Sequence, residues 1–191
     1  MNARADTEPV LLSARALEAL LALARATVVA AVRGERLPAP PEGPELREPR
    51  AVFVSLHREG ALRGCLGHLE ADLPVAEAVR RMAVAATRDD PRFPPLAPDE
   101  LDGLEVEVSV LSPARPVRPE EVEPGRDGLI VERGPRFGVL LPQVATEQRW
   151  DRVTFLRGVC RKAGLPAESW REPGTVLRAF QAQVVPERRA G

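Results

Sequence analysis

Apolar residues recur at helical spacing soon after Ser13: Leu17, Leu20, Leu21, Ala24, Val28 and Val32 share one face. Ser13 is placed to cap the start of this helix and Gly34 to stop it. Prolines 38, 40, 41, 44 and 49 then deny ladder and helix bonds, so 35–50 reads as a Pro-rich surface loop. The period falls to two from Ala51 to His57, with Val52, Val54 and Leu56 on one side. A turn at Glu59-Gly60 and a return over 61–67 complete a hairpin. Asp72 and Pro74 open a second helix with Val75, Val79, Met82, Ala83 and Ala86 inward, and Asp89-Asp90-Pro91 closes it.

Residues 104–111 alternate cleanly, with Leu104, Val106, Val108 and Val110 inward. Strands at 128–133 and 136–141 flank a Gly134-Pro135 turn. A third helix is predicted over about 151–163, with Asp151 as its cap, Gly164 as its stop, and Trp150 and Phe155 as core anchors. A last strand runs over about 176–185. Hairpins with few helices between them predict an α+β fold: an antiparallel or mixed sheet flanked by helices. Val54, Val106, Val108 and one face of 176–185 are expected to share a core.

The composition constrains function mainly by exclusion. A chain of 191 residues with 44% hydrophobic and 29% charged residues can bury a core without disulfides or metal. A net charge of −1 provides no global attraction to phosphate backbones or acidic membranes. The 4% aromatic content and absent tyrosine supply base stacking poorly. Glu18 and Arg25 interrupt the apolar run Leu17–Val32, which reads as neither signal sequence nor membrane span. Two distant cysteines and two histidines form no metal knuckle, and a reducing, cytoplasmic location is expected. Phosphate-loop, dinucleotide, zinc-protease and serine-elbow signatures are missing, so no cofactor or metal is expected. Lys162 is the only lysine and prolines number 20, which fits a GC-rich coding sequence or a thermophilic source.

The densest chemical signal is Leu62-Arg63-Gly64-Cys65-Leu66-Gly67. Glycine weakens a strand, so Gly64 and Gly67 beside one thiol admit either a ligand approaching Cys65 or a bulge around a packing cysteine. Arg63 is placed to stabilise a thiolate, and a bulge at Gly67 would be needed to bring His68 to Cys65. His57 is expected as an exposed edge residue. Asp89-Asp90-Pro91-Arg92-Phe93-Pro94-Pro95 is a stiff loop that presets Asp90 and Arg92, or a helix stop with Phe93 plugging the core. Glu107 is a further candidate base, and Gln143 a polar candidate in the third cluster, Leu141-Pro142-Gln143.

Six blocks in order resemble a known family: RGCLG at 63–67, DDPRFPPL at 89–96, EVSVLSP at 107–113, GLIVERG at 128–134, LLPQVA at 140–145 and WDRVTFLRGVCRKAGL at 150–165. Together they are similar to the AMMECR-type domain, the AmmeMemoRadiSam system protein A family, over about 50–186. The resemblance implies a single α+β domain over 10–187, with a larger subdomain from both chain ends and a smaller one from a middle segment. It also implies a MEMO-like protein and a radical SAM protein as partners, and it carries no activity with it. The resemblance implies that Thr or Ser often follows the last glycine of this run, a position where this chain has His68. Two functions follow. One is an accessory binding module with a groove at the LRGCLG hairpin, formed by Arg63, Gly64, Gly67, His68, Asp90, Arg92, Glu107 and Gln143. The other is a thiol-dependent enzyme with Cys65 as nucleophile and His68, Asp90 or Glu107 as base.

Overall fold

The computed structural model describes residues 11–187 and divides into two compact units: Leu11–Leu111 with the chain from Gln183, and Ser112–Ala182. In the first unit, helix α1 (Ala14–Arg33) starts where the Ser13 hydroxyl accepts the Ala16 amide and ends at Gly34, whose φ of 69° suits glycine. Its buried stripe is centred on Leu20, Leu23, Ala24 and Val28, with Leu17 and Leu21 at its margin. Strands β1 (Val52–Arg58) and β2 (Ala61–His68) form the predicted hairpin, helix α2 (Val75–Arg88) follows, and β3 (Leu104–Leu111) pairs antiparallel with β1. Together with β8 (Ala182–Pro186) these strands form a sheet in the order β2-β1-β3-β8. Val52, Val54, Leu56, Val106 and Val108 are fully buried together with Leu20, Val28, Val75 and Val79. Period-two strands therefore meet period-3.6 helices over one shared apolar layer.

The second unit contains β4 (Arg115–Pro116), β5 (Gly128–Arg133), β6 (Arg136–Leu140), α3 (Pro142–Glu147), α4 (Arg152–Lys162) and β7 (Val176–Phe180). Its antiparallel sheet runs β4-β7-β5-β6. Asp151 caps α4 by accepting the Thr154 amide at 2.7 Å. Phe155, Leu156, Val159 and Cys160 fill a separate core with Leu129, Val131 and Leu177.

Two expectations change. The strand anticipated over 176–185 is two strands in two sheets, so Leu177 and Ala179 pack in the second core, apart from Val54 and Val106. The break falls at Gln181, whose carbonyl accepts the Ser112 amide at 2.8 Å and whose amide donates to the Ser112 hydroxyl at 2.9 Å. That bond pair holds the chain where it leaves one ladder for the other. Within 35–50, a 3-10 turn forms at Glu45–Arg47, Leu46 is buried in the first core, and Glu45 accepts both the amide and the hydroxyl of Ser13. Among the described residues no helix is long and apolar enough to cross a membrane.

Candidate functional site

The register of β2 against β1 places the one irregularity of the hairpin. Leu62 lies opposite His57 and Gly64 opposite Leu56, leaving Arg63 as the extra residue of a bulge. The bulge is therefore at Arg63, not at Gly67. From Gly64 to His68 the pairing is regular, and alternation sends Gly64 and Leu66 to one face and Cys65 and Gly67 to the other. Each glycine has a packing reason. A Cβ on Gly64 would lie 2.4 Å from the carbonyl oxygen of Ala86 in α2, and one on Gly67 would meet the Phe53 ring.

Released by the bulge, Arg63 turns onto the loop that follows α2. Its Nε and Nη2 bind the two carboxylate oxygens of Glu100 at 2.7 and 2.8 Å, while Nη1 donates to the Pro94 carbonyl at 3.0 Å. Such a fork-to-fork pair is directional and strong. The Arg63 guanidinium, the Ala97 amide and nearby Arg58 hold the Glu100 carboxyl down to about 2. No sequence pattern marks Glu100, because it lies 37 residues away from Arg63.

Asp90 anchors the same loop from its other end. Its buried carboxylate binds Arg92 Nε and Nη2 at 2.9 and 2.7 Å and accepts the amides of Cys65 at 2.9 Å and of Arg92 at 3.1 Å. The Arg92 guanidinium first, with those amides, drives its pKa far below the usual carboxylate range. Phe93 is not a core plug. Its half-buried ring lies 5.5 Å from the Arg92 guanidinium and 6.0 Å from that of Arg63, and Leu96 is the buried apolar residue of the loop.

Around the thiol the proposed bases do not assemble. His68 points to the opposite face from Cys65 and its Nε2 lies 2.5 Å from Asp72 Oδ1. Asp90 is committed to two amides and a guanidinium. Glu107 stands opposite Ser55, two strands away from Cys65. The immediate neighbour of Cys65 is Ser55, whose hydroxyl donates to Sγ at 3.2 Å. Arg63, expected beside the thiol, serves Glu100 instead. His57 lies half-buried on the central strand β1, not at an edge, and faces the same side as Ser55. Gln143 belongs to the second unit, exposed at the start of α3, and the constellation is built without it.

The two cysteines differ sharply in access. Cys65 is partly exposed, whereas Cys160 is fully buried and burial pushes its thiol pKa up. Iodoacetamide should therefore label Cys65 in the folded protein and reach Cys160 only in denaturant, as read by peptide mass spectrometry.

The chain is thus an α+β protein with two antiparallel sheets, in which a proline-rich loop clamps the outer edge of one sheet beside a partly exposed thiol. The chain belongs to the AMMECR1 family, whose profile matches residues 21–185. A protein of Thermococcus gammatolerans is 46% identical over 183 residues, which cover 89% of each chain. One from Methanothermobacter thermautotrophicus is 45% identical over 177 residues, covering 88% of this chain and 92% of its own length. The crystal structure of uncharacterized protein PH0010 from Pyrococcus horikoshii is similar with a TM-score of 0.82 and 39% identity, over 93% of this chain and 94% of that one. Many such relatives come from thermophiles.

Proposed function

We propose that the chain is an accessory binding module, acting with a MEMO-like protein and a radical SAM protein through the surface formed by the Arg63–His68 strand and the Asp90–Pro95 loop. The observation that carries this reading is the double anchoring of the loop, by Arg63–Glu100 at one end and Asp90–Cys65 at the other. Anchored in this way, Pro91, Arg92, Pro94 and Pro95 stay exposed in one arrangement. A preset loop loses little conformational freedom on binding, which favours recognition. Arg63, Gly64 and Asp90 build the surface; Arg92, Phe93 and the prolines face a partner. The partners themselves rest on the family resemblance.

The test is capture of the purified MEMO-like and radical SAM proteins by the immobilised chain, with and without reductant. Retention of at least one partner is expected. Phe93→Ala should weaken it about tenfold if the ring is an anchor, because interface aromatics commonly carry 1–2 kcal/mol or more. Absence of capture, or capture indifferent to both Phe93→Ala and Arg63→Ala, would refute the reading.

A further inference from the structure

β2 is the outer strand of its sheet, and an outer strand offers half its peptide groups to whatever comes next. Along the regular part of β2, Cys65 turns both groups away from β1. Its amide donates to Asp90 Oδ2 at 2.9 Å, and its carbonyl accepts from Arg92 Nη2 at 3.3 Å. Asp90 and Arg92 are themselves paired at 2.7 Å. One ion pair thus supplies what a residue on a neighbouring strand would supply: an acceptor for the amide and a donor for the carbonyl.

The strand has little other protection. Ala61–His68 contains no proline and one permanently charged residue, Arg63, whose guanidinium is folded onto Glu100 and the loop carbonyls. The bulge at Arg63 blunts only the end near the turn. Nor does the strand repel its own copy. Antiparallel pairing of two β2 strands about Cys65 would set Arg63 opposite Gly67, Gly64 opposite Leu66 and Leu62 opposite His68, with no like charges facing. Such pairing is two-fold symmetric, so each Cys65 would give and receive the same two bonds.

We propose that the Asp90–Arg92 ion pair is a strand mimic, which keeps the β2 edge closed against antiparallel pairing with a second copy of this chain. Asp90 is the fixed half, with 3% of its side chain exposed, and Arg92 is the removable half, with 55% exposed.

The experiment uses the full chain with Cys160→Ala, alone and with Arg92→Ala or Arg92→Lys added. Three readings are taken: amide exchange at Cys65 in dilute protein, sedimentation over a concentration series, and copy-to-copy crosslinking by bismaleimidoethane. In Arg92→Ala the Cys65 amide should exchange about tenfold faster, since Asp90 loses the charged partner that holds it on that amide. The variant should also associate beyond its parent as concentration rises, with crosslinks through Cys65, and Arg92→Lys should restore most of the parent's behaviour. A folded Arg92→Ala protein with unchanged exchange and sedimentation would overturn the proposal, as would association without Cys65 crosslinks. If Arg92→Ala does not fold, Asp90→Asn removes the ion pair at nearly constant shape and is judged by the same three readings.

Discussion

Gly64→Ala should destabilise the first unit by about 3 kcal/mol, while Gly67→Ala, three residues along the same strand, should cost only about 1 kcal/mol. By residue type alone both changes would stabilise slightly, because alanine has less freedom to lose on folding. The surroundings reverse that sign to different extents. At Gly64 the new methyl would sit 2.4 Å from the Ala86 carbonyl oxygen and 3.6 Å from Leu56 Cδ1. The first obstacle is helix backbone, so relief requires α2 and β2 to separate across a core in which Val54, Leu56, Val79 and Ala83 are fully buried. At Gly67 the obstacle is the Phe53 ring at 2.2 Å, on the face away from that core, where a side-chain rotation relieves the clash. For a chain of this length the Gly64 change corresponds to a midpoint drop of about 10 °C, measured by thermal or urea unfolding. Equal effects at the two positions would mean that α2 does not press on β2 as described.

The same contrast shows which features the pattern of residues reveals. Val75–Arg88 buries one face at a spacing of 3.6 and the first part of β3 one face at a spacing of two, and both are visible from the alternation alone; burial of both faces from Val108 to Leu111 is not. Asp151 as a cap is also visible, since the rule is local to one turn. The split of 176–185 is not, because both halves have strand-like residues and only the long-range bonds between Gln181 and Ser112 choose the break. At the site, the RGCLG and DPRFPP runs stand out as unusual, but their relation depends on the bulge that frees Arg63 and on Glu100, an ordinary-looking surface acid. His68 fails as a partner of Cys65 for a reason that strand alternation already contains. Its attachment to Asp72 is hidden, because it depends on how the connection between β2 and α2 bends.

Acid should loosen the loop, and Glu100→Gln should remove much of that sensitivity. The Glu100 carboxyl has its ordinary value of 4.5 in the unfolded chain and about 2 in the folded one, chiefly through the Arg63 fork. A carboxyl lowered by folding stabilises the folded state fully above the unfolded value, and that contribution drains away as pH falls towards the folded value. The window is therefore from about pH 4.5 down to 2. The shift corresponds to about 3 kcal/mol, which solvent at this partly exposed carboxylate reduces to about 2 kcal/mol. Asp90 is lowered as well, chiefly by Arg92, so its contribution has the same sign and persists to still lower pH. The two anchors should thus release in order, Glu100 before Asp90. Urea midpoints from pH 7 to 2 would show the parent losing stability through this window, with Glu100→Gln less stable at pH 7 and falling less steeply below it. Exchange of the Ala97 amide, which Glu100 accepts at 2.9 Å, should rise in the parent before that of the Cys65 amide held by Asp90. Release of both amides at one pH would show that the two anchors act as a single unit and that the order argued from their surroundings is wrong.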